Sequence, residues 1–587
     1  MKFTDISSWH SFFLFFFFFI NEDAIEALTY DYRATTKCLM EAWDAQYGGG
    51  IIHNPNFNNG VEGWKPFGLG KIEARTFKNG NKFIAALNRT LPSDSISQRV
   101  LLEEGKLYAF AAWIQLNEGR EVISVRFRRR PAYGQEYLHG GTVIAKHGCW
   151  SMLKGGIVAN FSGPVDITFE TNNTSVEVWV DNVSLQPFTK KQWTLHQEHT
   201  INKVRKHKVK FQVTNQDNTT LQGAKISLRQ IKAGFPIGCE INSYILNITK
   251  YKEWFLASKF SVTAFGNEMK WYFTEEKLQG HENYTIPDAM LQLCEQNQID
   301  VRGHNIFWDD PKYQPEWLDP RISPKRLRKL VEKRLKSIVL RYKGRLIHWD
   351  VMNENLHFKF YEEKLGRNAT YEIFSRVHEL DQKPILFMNE YNTIEVSEDI
   401  ESMPARYARK LKKIGAYNRE MLPLGVGLES RFGHDQPNFA YMRAAIDYLA
   451  SMGFSVWLTE VFVDKGVNQA EYLEEVLREG YSHPAVEGIV IWPTSPFSTE
   501  CKMCLVDIQQ DFKKTKTGDT VDKFIAKLWS SRPLKFTSNE QGFSESVLLI
   551  GDYDVIVRHP TTNKFTKFKL KVTENSAHLV HLHLDAY

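Results

Sequence analysis

The stretch RLIHWDVMNENLH (residues 345–357) puts two carboxyls, Asp350 and Glu354, an amide, Asn353, and Trp349 on what reads as one buried strand. Burying polar groups costs free energy unless they find partners, so such a strand aims them at each other or at a ligand. The same habit recurs along the chain. Apolar runs end in Asn267, Glu268 and Lys270, in His304 and Trp308, in Asn389 and Glu390, in Glu429 and Arg431, in Glu460, and in Trp492. Carboxyl and imidazole groups exchange protons, while amides and indoles orient a polar ligand.

Those polar residues close strand-like runs: PIGCEI, SVTAF, DVRGHNIFW, LIHWDVMN, PILFMNEY, PLGVGLES, SVWLTEVF and GIVIWP. Amphipathic stretches such as SPKRLRKLVEKRLKSIVLRYKG lie between them. Eight such units over residues 234–532 predict an α/β fold, a (β/α)8 TIM barrel, whose functional groups gather at the C-terminal strand ends. A doubly wound sheet is the rival, but no Gly-x-Gly-x-x-Gly follows the first strand and no phosphate loop occurs.

Other textures flank the barrel. Residues 48–190 carry short alternating runs, KLYAFAAWIQL among them, broken by Gly, Asn and Pro turns, the pattern of an all-β sandwich. Residues 200–233 read as a linking strand pair and residues 535–587 as a small β extension. The extension's His578, His581 and His583 fit a solvated strand face better than a metal site.

Composition narrows the function. A length of 587 residues allows two to four domains, and a net charge of +5 is no footprint for nucleic acid. Aromatic residues make up 13% of the chain, and flat rings suit the C–H faces of sugars. The apolar run from Phe12 to Ile20 is too short to span a bilayer and fits the core of a signal peptide, placed at 1–27. Secretion makes sense of nine Asn-x-Ser/Thr sequons, at Asn88, Asn160, Asn172, Asn173, Asn182, Asn218, Asn247, Asn283 and Asn368, and permits a disulfide or two among six cysteines. Cys501 and Cys504 form a CxxC with no second pair, so no metal site is expected there.

WDVMNE followed 106 residues later by LTE, with NEMKW and RGHNIFW upstream, resembles glycoside hydrolase family 10, retaining endo-1,4-β-xylanases, and especially its plant members. The segment from IIHNPNFNNGVEGWKPFG to WVDNVSLQPF is similar to carbohydrate-binding modules of family 22. The resemblance implies Glu354 as general acid/base, Glu460 as nucleophile, and Asn267, Lys270, His304, Trp308, Asn353, Glu429, Arg431 and Trp492 as substrate-binding residues. In the sandwich it implies a groove with Arg75 and Glu170. No cofactor is implied; the partner is xylan, and the protein is expected to be a secreted cell-wall monomer with no membrane attachment once the signal is removed.

Three positions depart from the family pattern. Arg431 stands where a histidine usually contacts the nucleophile, Gly266 where a glutamate is common, and Ser495 near an expected aromatic residue. In an active enzyme Arg431 is expected to turn from Glu460 or pair with Glu429. A two-point clamp on Glu460 would instead mark a catalytically weakened xylan-binding protein. Another β-glycan, such as cellulose or mannan, is the third reading.

Overall fold

The structure, a computed structural model, describes residues 28–129, 136–417, 421–529, 532–574 and 579–584. The signal-peptide segment and His578 lie outside the described residues.

Eight parallel strands close a barrel: Ile237–Cys239, Val262–Ala264, Asp300–Trp308, His348–Asn353, Ile385–Glu390, Leu424–Leu428, Ser455–Val463 and Val486–Ile491. Closure comes from the sixth strand pairing with the seventh (Gly425 opposite Ser455) and the eighth with the first (Ile489 opposite Ile237). All six residues of the fourth strand are buried, as expected of a strand covered by helices on one side and by the barrel's filled interior on the other.

The sandwich is built from two five-stranded antiparallel sheets. One orders Lys65–Phe67, Ser95–Leu102, Gly163–Glu170, Arg120–Arg129 and Glu136–Lys146; the other orders Lys71–Thr76, Lys82–Leu87, Val178–Phe188, Leu107–Leu116 and Ser151–Val158. Alternate residues such as Ile84, Ile96, Phe110, Phe127, Phe169 and Val180 fill the space between them. The helix Lys190–Val204 then leads away, its start fixed by Thr189, whose hydroxyl accepts from the Gln192 N–H at 3.1 Å while Gln192 accepts from the Thr189 N–H at 2.9 Å.

Residues expected to be a link and a separate appendage form one body. Lys206–Thr214 pairs with Phe543–Leu549 and Leu579–His583, and Lys225–Ala233 pairs with Leu534–Thr537 and Gly551–Arg558. Val209, Phe211, Ile226, Val555 and Val557 share one core between these two sheets. The barrel is therefore inserted between the second and third strands of a small β module. In that module His583 Nδ1 lies 3.0 Å from the Thr214 hydroxyl.

The sandwich docks edge-on against the barrel helix Phe439–Ala450. Gly156 lies so close to Ala440 that a Cβ would collide with it, and Asn438 donates to the Gly156 carbonyl at 3.0 Å. Beside this contact Lys154 Nζ meets Asp447 Oδ2 at 2.7 Å, with both side chains 1% exposed. Asp447 also accepts from the Tyr30 hydroxyl at 2.8 Å and lies 2.9 Å from His483 Nε2. Removing one partner of a buried pair leaves the other charge uncompensated, so Lys154→Met is expected to cost about 3–5 kcal/mol. A lowered midpoint for the unfolding step shared by sandwich and barrel checks this; an unchanged midpoint contradicts it.

Candidate active site

The C-terminal strand ends enclose a cleft of about 520 Å³, lined by all ten barrel residues singled out from the sequence. Their positions follow from how each strand ends. The fourth strand stops at Asn353, and Glu354 adopts a left-handed backbone (φ 55°) with its N–H donating to the Asn389 carbonyl at 2.9 Å. That conformation is costly for a residue with a side chain, and here it turns the carboxyl into the cleft.

Glu354 is set up as a proton donor. Its carboxyl is pushed up to about 8, mainly by burial, with Glu390 and Glu460 adding negative charge; the Trp308 indole N–H, 2.8 Å away, and Lys270 pull the other way. The cleft therefore holds a neutral acid at neutral pH.

Glu460 is set up differently. It sits on the seventh strand with its N–H on the Glu429 carbonyl at 3.0 Å. One carboxyl oxygen accepts from Asn389 Nδ2 at 3.0 Å and the other from Arg431 Nη1 at 3.0 Å. An amide donor and a cation thus meet its two oxygens. Glu429 lies close by, but burial and the charges of Glu460 and Glu354 raise it well above the carboxylate range, so it stays neutral.

The expected Arg431–Glu429 pair does not form, and Arg431 does not turn from Glu460. The sixth strand ends at Leu428, Ser430 takes φ 64°, and the chain resumes at Arg431 paired to Phe462 of the seventh strand. Glu429 and Arg431 therefore do not share one strand face, and the guanidinium swings over the Phe462 ring at 5.2 Å, beside Glu460. The contact is one nitrogen to one oxygen, from a side chain 39% exposed.

Asp350, on the fourth strand below Glu354, orients a cleft residue. It accepts from Arg302 Nη2 at 2.7 Å and lies 2.9 Å from His304 Nδ1. Burial and Lys270 keep His304 neutral, so Nδ1 carries the proton and Nε2, 3.8 Å from Glu460, faces the cleft as an acceptor. Trp492 meets the His304 ring edge-on at 5.0 Å. Trp308 stacks on Tyr313 at 3.9 Å, with Lys270 Nζ 4.4 Å from the Trp308 ring. Asn267 accepts from the Tyr272 hydroxyl at 2.6 Å.

Arg75 and Glu170 do not share a groove. They lie on opposite sheets of the sandwich, each on its outer face. Arg75 is held by Glu73 and by Glu177 at 2.6 Å; Glu170 is buried between Arg128, 2.5 Å away, and Arg126. Loose likeness between segments could not tell one sheet from the other.

Other residues of the site were not assigned from the sequence. Asn389 appeared only as a polar strand end, yet its amide also donates to Asn353 at 3.0 Å and its oxygen accepts from Thr459 at 2.5 Å. Glu240, just past the first strand, follows the same polar-end pattern and lines the cleft. His357 bridges Glu390 at 2.6 Å and Asp399 at 2.9 Å, and these acids raise it to about 10. At Ser495, near the expected aromatic residue, the hydroxyl instead accepts from Asn242 at 3.1 Å.

Comparison with known proteins places these features in a family. Residues 227–499 match the model for glycosyl hydrolase family 10, and residues 49–176 match a carbohydrate binding domain. Three Arabidopsis thaliana proteins are similar over nearly the whole chain. Endo-1,4-beta-xylanase 5-like is 40% identical over 94% of this chain and 93% of its own. Endo-1,4-beta-xylanase 5 is 44% identical over 82% and 84%, and endo-1,4-beta-xylanase 4 is 39% identical over 96% and 95%. With its barrel, its carboxyl-lined cleft and relatives matched at this length, the chain belongs to glycosyl hydrolase family 10.

Proposed function

We propose that the protein is a retaining endo-1,4-β-xylanase that cuts internal bonds of cell-wall xylan by double displacement. The observation that carries this is the division between two carboxyls in one cleft: Glu354 held up to about 8 as a proton donor, and Glu460 accepting from Asn389 and Arg431 across the cleft. In the first step Glu354 gives its proton to the glycosidic oxygen while Glu460 attacks the anomeric carbon, forming a glycosyl ester and releasing the aglycone. In the second, Glu354 as carboxylate takes a proton from water as that water displaces Glu460. Asn353 and His304 hold sugar hydroxyls, and Trp308 and Trp492 flank the rings. Names of the relatives support xylan over other β-glycans.

The test is the anomeric proton spectrum of the first product from xylohexaose. β product that later mutarotates is expected; α product first would mark inversion.

The weakened-binder reading rested on a two-point clamp of Glu460, and a single contact from a partly exposed guanidinium does not supply one. Arg431→His is therefore expected to leave kcat/KM on xylan within about threefold, since one partly exposed charge contact contributes little. A gain of tenfold or more would show that Arg431 holds the enzyme back.

The sandwich serves as a xylan-binding module, supported by its match to a carbohydrate binding domain. Secretion as a glycoprotein is supported by the N-terminal apolar run, by disulfides Cys38–Cys149 and Cys501–Cys504, and by exposed sequon asparagines such as Asn88, Asn160 and Asn368. Asn182 is buried and is not a glycan site.

A further inference from the structure

Glu240 is the odd carboxyl of the cleft. It ends the first barrel strand, lines the cleft, and is only 7% exposed. Neighbouring acids are satisfied: Glu268 accepts from the Ser243 and Asn267 N–H groups at 2.7 and 3.1 Å, Glu390 from the Leu356 N–H at 2.7 Å, and Glu395 from the Arg431 and Ile394 N–H groups at 2.8 and 2.9 Å. The Glu240 carboxyl accepts no hydrogen bond from any described residue. A carboxyl that lines the cleft without a protein partner is free to exchange hydrogen bonds with a ligand's hydroxyls.

Glycine at 266 makes room for it. A Cβ there would collide with Glu240 Oε1, and the nearest atoms it would meet all belong to the Glu240 side chain. The end of the second strand is cut back so that a carboxyl from the first can occupy the space, next to Asn267 and Lys270 on the cleft wall.

We propose that Glu240 is a substrate-specificity residue, whose carboxyl exchanges hydrogen bonds with free hydroxyls of the sugar unit lying against the ends of the first and second strands. This rests on the xylanase reading of the cleft. A substituted oxygen has no proton to donate to that carboxyl. A unit substituted at that hydroxyl therefore loses the contact, and bare units are favoured there.

Glu240→Ala tests the assignment. Losing hydrogen bonds to a carboxyl is expected to lower kcat/KM on xylohexaose about 10- to 100-fold, mostly through KM, without lowering the thermal midpoint. Glu240→Ala with Gly266→Glu returns a carboxyl to the same space from the neighbouring strand and should recover at least half of the loss on a logarithmic scale. Calorimetric titration of xylohexaose into Glu354→Gln and into Glu354→Gln with Glu240→Ala reads the same contact without turnover; the sandwich contributes equally to both. If the protein hydrolyses no xylan but the second variant binds about tenfold more weakly, the xylanase reading fails and Glu240 keeps its role in binding. Activity and binding within twofold of the parent, or a loss that comes with a lowered midpoint and no recovery in the double variant, would overturn it.

Discussion

Glu460→Ala is expected to lower kcat on xylan by about 10⁴-fold or more, because the proposed reaction loses the carboxylate that forms the glycosyl ester. The size of the effect is not by itself diagnostic, since a collapsed cleft would do the same. Azide separates the cases. The space left by the carboxylate remains bordered by Arg431 Nη1 and Asn389 Nδ2, each 3.0 Å from where an oxygen sat, and such donors favour a small anion. With an activated aryl xyloside, azide should restore turnover and give the α-xylosyl azide, attack coming from the face the glutamate occupied. No rescue, or a β product, would remove Glu460 from the nucleophile's place.

Glu354→Ala should lose about 10²- to 10⁴-fold on xylan, the range general acid catalysis contributes. The first step should lose far less on a dinitrophenyl xyloside, whose leaving group needs no proton. The pH profile carries the sign. Glu354 must be protonated to assist departure and is held up to about 8, so kcat/KM in the parent should be maintained below that pH and lost above it. In the variant that alkaline limb should be absent. A limb that persists would assign the titration to another of the buried acids, and Glu240, also raised to about 8, is the first candidate.

Much of this was legible in the sequence, for a physical reason. A barrel strand is buried on both faces except at its C-terminal end, so polar residues clustered after apolar runs mark both the strand and the side where the site lies. All eight runs became strands, and WDVMNE and LTE brought Glu354 and Glu460 to one cleft. Pairing across long separations was not legible. Nothing local in Lys206–Thr214 says that its partner is Phe543–Leu549, because alternation reports which face of a strand is buried and not what it pairs with. Arg431 misled for a similar reason: strand parity fails where Ser430 turns the chain. Gly266 looked like a lost carboxyl when read alone; beside Glu240 it is the space that a carboxyl from another strand occupies.

The most direct test of the double-displacement reading is to incubate the protein with a 2-deoxy-2-fluoro-β-xylobioside carrying a good leaving group, digest it, and find the modified residue by mass spectrometry. The fluorine slows both steps and the leaving group restores the first, so the ester accumulates. The expected result is stoichiometric loss of activity with the fluoroxylobiosyl group on Glu460. Attachment to any other residue, or no adduct from a protein that still cuts xylan, would contradict it.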